Sequence, residues 1–212
     1  MRKSMWLYNS LTWFLGGVFK VMFRVKTVGR ENEVKEGPTI YCVNHISNWD
    51  PVLVACETKR PINFMGKKEL FNVPVLKSIL KALGAFPIDR TGNDIAALKS
   101  TVAALKDGAC ICLFPQGTRC AQKEPSETSV KGGAAMLAKH SKATLVPISI
   151  YTKKYKIKLF RKVYITIGKP YEYNENDYQG TREDYDRVTR IIFDDICRMC
   201  DEAKEKANAK RK

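Results

Sequence analysis

Thr39-Ile40-Tyr41-Cys42-Val43-Asn44-His45-Ile46-Ser47-Asn48-Trp49-Asp50-Pro51 is the stretch that decides the fold. Its first five residues form a mostly apolar run after a Gly37-Pro38 turn, which predicts a short buried strand. Asp50-Pro51 then opens the apolar segment Val52, Leu53, Val54, Ala55. An Asp ahead of a Pro at the first helical position predicts a helix start. His45 therefore falls just past a strand end and Asp50 at a helix N-terminus. The loop between them can fold back and bring the carboxylate onto one imidazole nitrogen. The other nitrogen is then left as a general base with its tautomer fixed. Taken alone, such a pair is more often an N-cap and a satisfied histidine, so the rest of the chain has to decide.

Working outward, strand signals fall at 23–28, 61–65, 84–90, 109–114, 144–151 and 163–168. The run 109–114 is wholly apolar, as a buried parallel strand should be. Helical spacing follows Pro51 and recurs over 72–84, 93–108, 131–140 and 181–206. The expected inward faces are Leu76, Ile79, Leu80 and Leu83; Ile95, Leu98, Val102 and Leu105; and Tyr185, Val188, Ile192, Ile196 and Met199. Strands alternating with helices of this size predict an α/β domain with a largely parallel central sheet flanked by helices. Ligands gather at the carboxyl ends of such strands, where His45, Arg90 and Arg119 all fall.

The chain has 212 residues, enough for one domain with a sizeable core. The expected organisation is an N-terminal membrane-associated helix over 1–24, a domain over 25–207 and a basic tail over 208–212. The first segment is rich in Trp, Tyr, Phe and Leu, but Asn9, Ser10, Thr12 and Lys20 interrupt it. A spanning helix needs roughly 20 predominantly apolar residues. The aromatic content and the flanking Arg2, Lys3, Arg24 and Lys26 favour a helix lying in the interface or shallowly inserted. The bland alternative is a helix packed on the domain. No small-residue cleavage site follows, which argues against a signal peptide.

The formal net charge is +15, from 37 basic and 22 acidic residues. A surplus that large points to an anionic partner, whether nucleic acid, anionic membrane or phosphorylated substrate. The chain carries no RNP, HTH or KH signature, so no nucleic acid is expected. Of the seven cysteines, Cys42, Cys110 and Cys112 lie in apolar runs and read as small hydrophobes. Cys197 and Cys200 have CxxC spacing late in a helix, without a second pair, and there are only two histidines. No metal site is expected, and the odd count of thiols favours a reducing, cytosolic setting.

Asn44-His45 with Asp50 resembles the H-x4-D motif of the glycerolipid acyltransferases. Three further blocks resemble theirs in order: Gly84 to Arg90, Phe114-Pro115-Gln116-Gly117-Thr118-Arg119 and Val146-Pro147-Ile148. Lys67, ahead of Glu69-Leu70, resembles a family lysine near the phosphate site. The blocks cover about residues 40 to 150. The short length and the N-terminal apolar helix look like the bacterial lysophosphatidate (1-acylglycerol-3-phosphate) acyltransferases. Gln116 stands where the family usually has Glu, Cys120 replaces a common Ser, and Pro87 falls inside the second block.

The resemblance implies transfer of an acyl chain from a thioester to the sn-2 hydroxyl of lysophosphatidate, giving phosphatidate. His45 would be the general base and Asp50 its orienting partner. Lys67, Arg90 and Arg119 would bind phosphate, with Gln116, Gly117 and Thr118 lining the acceptor site. Acyl-CoA or acyl-carrier protein would be the co-substrate, with no cofactor. The expected place is the cytoplasmic face of the cell membrane, on anionic lipid. Another lysophospholipid or glycerol 3-phosphate as acceptor, or a non-catalytic lipid-binding protein, are the competing expectations.

Overall fold

In the computed structural model of the chain, the structure describes residues 5–67, 72, 85–88 and 95–209; for 5, 7, 65–67 and 85–88 this is the backbone alone. Seven strands form one sheet: β1 (Lys26–Val28), β2 (Thr39–Val43), β3 (Ile62–Lys67), β4 (Ala85–Ile88), β5 (Cys110–Leu113), β6 (Thr144–Thr152) and β7 (Val163–Ile167). Their order is β1-β7-β6-β2-β5-β3-β4. Every neighbouring pair is parallel except β6 with β7, which the short loop after β6 makes antiparallel. The helices are α1 (Met5–Met22), α2 (Asp50–Glu57), α3 (Ile95–Lys106), α4 (Gly133–Ser141) and α5 (Arg182–Ala209).

The strand at 39–43 occupies the centre of the sheet, with β6 on one side and β5 on the other. All five of its residues are buried, which is what a parallel strand covered on both faces demands of its sequence. Arg60 anchors its start. One guanidinium nitrogen donates to Val34 O and Thr39 Oγ1, and the other to Gly37 O and Gly108 O, at 2.8–3.2 Å. The amino ends of β2 and β5 are thereby stapled together.

The amphipathic helix α5 buries Val188, Ile192, Ile196, Met199 and Ala203 along β6 and α4. It continues to Ala209, two residues into the segment expected as a tail. In α3 the expected inward face is only partly inward: Leu105 is buried, Leu98 and Val102 are half-buried, and Ile95 is exposed. The helix expected over 72–84 lies outside the described residues, apart from Asn72.

The first helix packs on α2 with one face. Tyr8 and Phe19 are buried there, and the Tyr8 hydroxyl accepts the Ile62 N–H at 3.1 Å. Its other face holds Trp6, Trp13, Phe14 and Val21 in the open, Trp13 with 82% of its surface exposed. Among the described residues no helix is long and apolar enough to cross a membrane.

Candidate active site

His45 lies two residues past the end of β2, and four contacts fix it. Its N–H donates to Gln116 Oε1 at 2.6 Å, and its carbonyl accepts the Cys120 N–H at 2.7 Å. Its ring stacks on Phe114, with centroids 4.1 Å apart. Its Nδ1 lies 2.8 Å from Asp50 Oδ2. The parallel register of β2 and β5 explains the first contact. Thr39 faces Cys110, and the same offset carried past the ends of both strands runs from His45 to Gln116. The imidazole is 17% exposed and the carboxylate fully buried. Nε2 makes no hydrogen bond among the described residues.

Asp50 is the hub of the loop. Oδ2 accepts Nδ1–H of His45 and the backbone N–H groups of Ile46 and Ser47, both at 2.7 Å. The sequence reading set Asp50 at a helix N-terminus. It occupies the first turn of α2, where Trp49 is the N-cap residue and makes no side-chain cap bond. Its carboxylate turns backwards onto the loop. Burial pushes the Asp50 carboxyl above its usual range, and the His45 ring and the Ser47 and Ile46 N–H groups pull the other way. A carboxylate only accepts, so the proton on the shared bond sits on Nδ1 and Nε2 keeps its lone pair. The pair can do one thing well, which is to take a proton from a hydroxyl brought to Nε2.

Asn44, fully buried, extends the β2–β6 ladder by one side chain. Its Nδ2 donates to Ile150 O at 2.9 Å and its Oδ1 accepts the Ile150 N–H at 2.7 Å. On the other flank Trp49 stacks edge-on against Phe19 of α1, with centroids 5.5 Å apart, and leans on Phe23 at 6.1 Å. The first helix is thus packed directly against the loop that holds His45 and Asp50.

The expected acceptor residues separate into two groups. Gly117, Thr118 and Arg119 are exposed at the carboxyl end of β5, on the loop tied to His45 through Cys120. Arg119 forms no ion pair among the described residues. Gly117 closes a turn by donating to Phe114 O at 2.9 Å and has φ +69°. A Cβ there would meet only the Lys131 side chain, at 3.6 Å, so the backbone angle rather than lack of space asks for glycine.

Gln116 corrects the sequence reading. It is 4% exposed, and both ends of its amide are committed: Oε1 to His45 N–H and Nε2 to Thr128 Oγ1 at 2.8 Å. It does not line an acceptor site but holds the histidine loop. The backbone of Lys67 ends β3, one strand over from β5. Arg90 lies outside the described residues, just past β4.

Three contributors escaped the sequence reading. Phe114 and Thr128 touch the site only through the fold. Lys131, whose Nζ would lie 3.8 Å from a Gly117 Cβ, adds a cation beside the exposed turn. Among the described residues no group of three or more His, Cys, Asp or Glu could hold a metal.

A family model described as an acyltransferase matches residues 24–151. The chain is 33% identical over 150 residues to a 1-acyl-sn-glycerol-3-phosphate acyltransferase of Bacillus subtilis, covering 69% of this chain and 73% of the relative. It is 31% identical over 172 residues to a protein of the same name from Streptococcus pneumoniae, covering 79% of this chain and 62% of the relative. The crystal structure of the 1-acyl-sn-glycerophosphate acyltransferase PlsC from Thermotoga maritima superposes with a TM-score of 0.74 at 22% identity, over 96% of this chain and 84% of that one, and so has the same fold. The matched span contains His45, Asp50 and the strands from β1 to Tyr151 of β6, and this chain belongs to the acyltransferase family.

Proposed function

We propose that this chain is a 1-acyl-sn-glycerol-3-phosphate O-acyltransferase that makes phosphatidate. The observation that carries the reading is the buried Asp50 carboxylate 2.8 Å from Nδ1 of His45, which leaves Nε2 as the base. In the reaction Nε2 takes the proton of the sn-2 hydroxyl as its oxygen attacks the thioester carbonyl. Asp50 holds the resulting imidazolium. The tetrahedral intermediate collapses and the carbon–sulfur bond breaks. The departing thiolate recovers the proton from Nε2–H, so acid and base are the same group. No nucleophilic side chain, metal or prosthetic group is needed, and the donor is acyl-CoA or acyl-carrier protein.

The acceptor's phosphate is assigned to Arg119, Lys67 and Arg90. Arg offers a planar fork to two phosphate oxygens, while Lys acts as a point charge. The outer face of α1, with Trp6, Trp13, Phe14 and Val21 in the open, is assigned to the surface of an anionic bilayer on the cytoplasmic side. On that reading the acceptor, itself an amphiphile, comes within reach of the His45 loop.

The test is acyl transfer by the full chain on anionic vesicles. Lysophosphatidate, glycerol 3-phosphate and lysophosphatidylglycerol are offered separately, each with acyl-CoA and with acyl-carrier protein. Turnover with lysophosphatidate is expected, falling ~10²–10⁴-fold in His45→Ala. Turnover with another acceptor alone would move the substrate and keep the mechanism. No turnover with any pair would overturn the reading in favour of a lipid-binding protein.

A further inference from the structure

We propose that a second, non-catalytic site on this chain binds the phosphate headgroup of an anionic bilayer lipid, in the cleft beneath the loop 153–162. The inference rests on the membrane reading above and assigns that contact to particular residues. The loop reads Lys-Lys-Tyr-Lys-Ile-Lys-Leu-Phe-Arg-Lys and contains no acidic residue. Beneath it is a cavity of about 420 Å³ lined by Arg24, Lys153, Arg161 and Lys162, with Leu159 and Phe160 at its wall. No carboxylate lines it, and none of the four cations forms an ion pair among the described residues.

Four positive charges around one cleft repel one another, and among the described residues only the Tyr164 ring, 5.9 Å from Lys162 Nζ, faces any of them with π density. An arrangement of that kind is stabilised by an anion, and a phosphate supplies the charge and the acceptor oxygens. The loop is also built to stay put. Arg161 Nη1 donates to the carbonyls of Lys153 and Lys156, Thr152 Oγ1 donates to Lys162 O, and Phe160 N–H donates to Met22 O at 2.6 Å. Arg24, Lys154, Tyr155 and Phe160 all take positive φ, between 45° and 58°, a conformation that non-glycine residues hold only when the surroundings impose it.

The outcome is two large apolar side chains held out in water, Leu159 59% and Phe160 68% exposed, beside the cations. A free phosphate or an acidic protein would satisfy the charges but not these two. A bilayer satisfies both, with headgroups on the cations and acyl boundary on Leu159 and Phe160.

The position supports the same occupant. The Phe160–Met22 bond joins the loop to the end of α1, next to exposed Val21, so the patch continues the aromatic face of that helix. The loop leaves the carboxyl end of β6 as the His45 loop leaves that of β2, and those two strands run parallel side by side. A bilayer docked on the cleft therefore faces the same end of the sheet as His45.

The experiment measures partition of the full chain onto vesicles with and without anionic phospholipid. Lys153→Glu/Lys162→Glu is compared with Lys35→Glu/Lys106→Glu, an equal charge change on exposed residues at the opposite end of the sheet. The wild type and the control pair are expected to prefer anionic vesicles, and the cleft pair to bind them ~30-fold more weakly, at the usual contribution per basic residue. Leu159→Ser/Phe160→Ser, which leaves every charge in place, is expected to weaken binding to both vesicle types.

Equal loss in the cleft and control pairs would reduce the effect to net charge and overturn the site. Undiminished vesicle binding by the cleft pair, with a raised KM for acyl-carrier protein, would overturn it in favour of a carrier-protein surface. Absence of vesicle binding by the wild type would overturn the site and the membrane reading together. Wild-type binding that the cleft pair keeps would overturn the site alone.

Discussion

The amide of Gln116 spans the distance between the backbone N–H of His45, 2.6 Å from Oε1, and the hydroxyl of Thr128, 2.8 Å from Nε2. Thr128 in turn donates to Pro125 O at 2.6 Å. The chain from Pro125 to His45 is therefore a continuous run of hydrogen bonds, buried at Thr128 and part-buried at His45, that aims the imidazole. Gln116→Ala leaves the His45 N–H without its acceptor and the Thr128 oxygen without the Nε2 donor, and should cost about 1–3 kcal/mol of stability. It should also lower kcat several-fold while leaving the acceptor KM within about twofold, since the side chain positions the base and does not touch substrate. Steady-state kinetics and a urea midpoint read both effects. A raised acceptor KM with unchanged kcat would return Gln116 to the substrate.

Gln116→Glu is the companion experiment. The carboxylate still accepts from His45 N–H, but it has no donor for Thr128. The Thr128 hydroxyl must then rotate and give up Pro125 O. The exchange should cost about one neutral hydrogen bond, ~1 kcal/mol, and restore kcat relative to Gln116→Ala. Urea titration of the two variants side by side separates the outcomes.

Asp50→Asn tests the orientation of the base. The asparagine oxygen can satisfy only part of what Oδ2 now accepts from His45, Ile46 and Ser47. Its NH2 offers a donor where Nδ1–H needs an acceptor, which favours the wrong tautomer. Turnover should fall ~10²–10⁴-fold. Near-wild-type turnover in a folded Asn variant would mean that His45 needs no partner.

The helix α5 carries an acid-sensitive contact at its start. The Asp184 N–H donates to Thr181 Oγ1, while its carboxylate accepts Gln179 N–H, Gly180 N–H and the Arg187 guanidinium. Burial pushes this carboxyl up, but Arg187 and the two N–H groups outweigh it and hold it below the usual range. A depressed folded value stabilises the fold fully above the unfolded Asp value of about 3.9, and that contribution disappears as pH falls through the lower folded value. Asp184→Asn should therefore be less stable than wild type by ~1 kcal/mol near neutral pH, the usual worth of a helix cap. The gap should close on acidification. Thermal unfolding across pH reads it, and a gap that widens in acid would reverse the assignment.

Arg60 is predicted to matter for stability and not for turnover. Its hydrogen bonds to Val34, Thr39, Gly37 and Gly108 gather the amino ends of β2 and β5, away from His45. Lys cannot reproduce a planar fork. Arg60→Lys should lose roughly 2–4 kcal/mol while the per-molecule rate of the folded fraction holds.

How much of this was legible in the sequence follows from what is local. The strand at 39–43, the helix after Asp50 and the fold-back of Asp50 onto His45 are short-range, and turn signals with apolar periodicity carry them. The role of Gln116 is set by strand register. Its two partners lie 71 residues back and 12 residues on, and nothing in the Pro-Gln-Gly-Thr-Arg run announces either. Read one-dimensionally, a polar residue amid ligand-type neighbours becomes a ligand. The fold-back of Asp50 is legible as a contact with His45, but the Ile46 and Ser47 N–H groups that share Oδ2 are set by the path of the loop. Strand order is also invisible locally. The first strand lies beside β7, at the edge farthest from β4, and among the described strands only β6 and β7 pair antiparallel.

The packing of Trp49 against Phe19 and Phe23 has a thermodynamic meaning. Trp49 belongs to the loop that aims the base, and its ring contacts belong to the helix proposed to lie on lipid. Whatever free energy lipid spends in holding α1 in its docked position also narrows the excursions of that loop. Linkage makes the relation reciprocal, so a ligand that stills the loop tightens the hold on lipid by the same factor. On the proposed membrane contact, the bilayer is an effector of the chain as well as the phase that holds the proposed substrate.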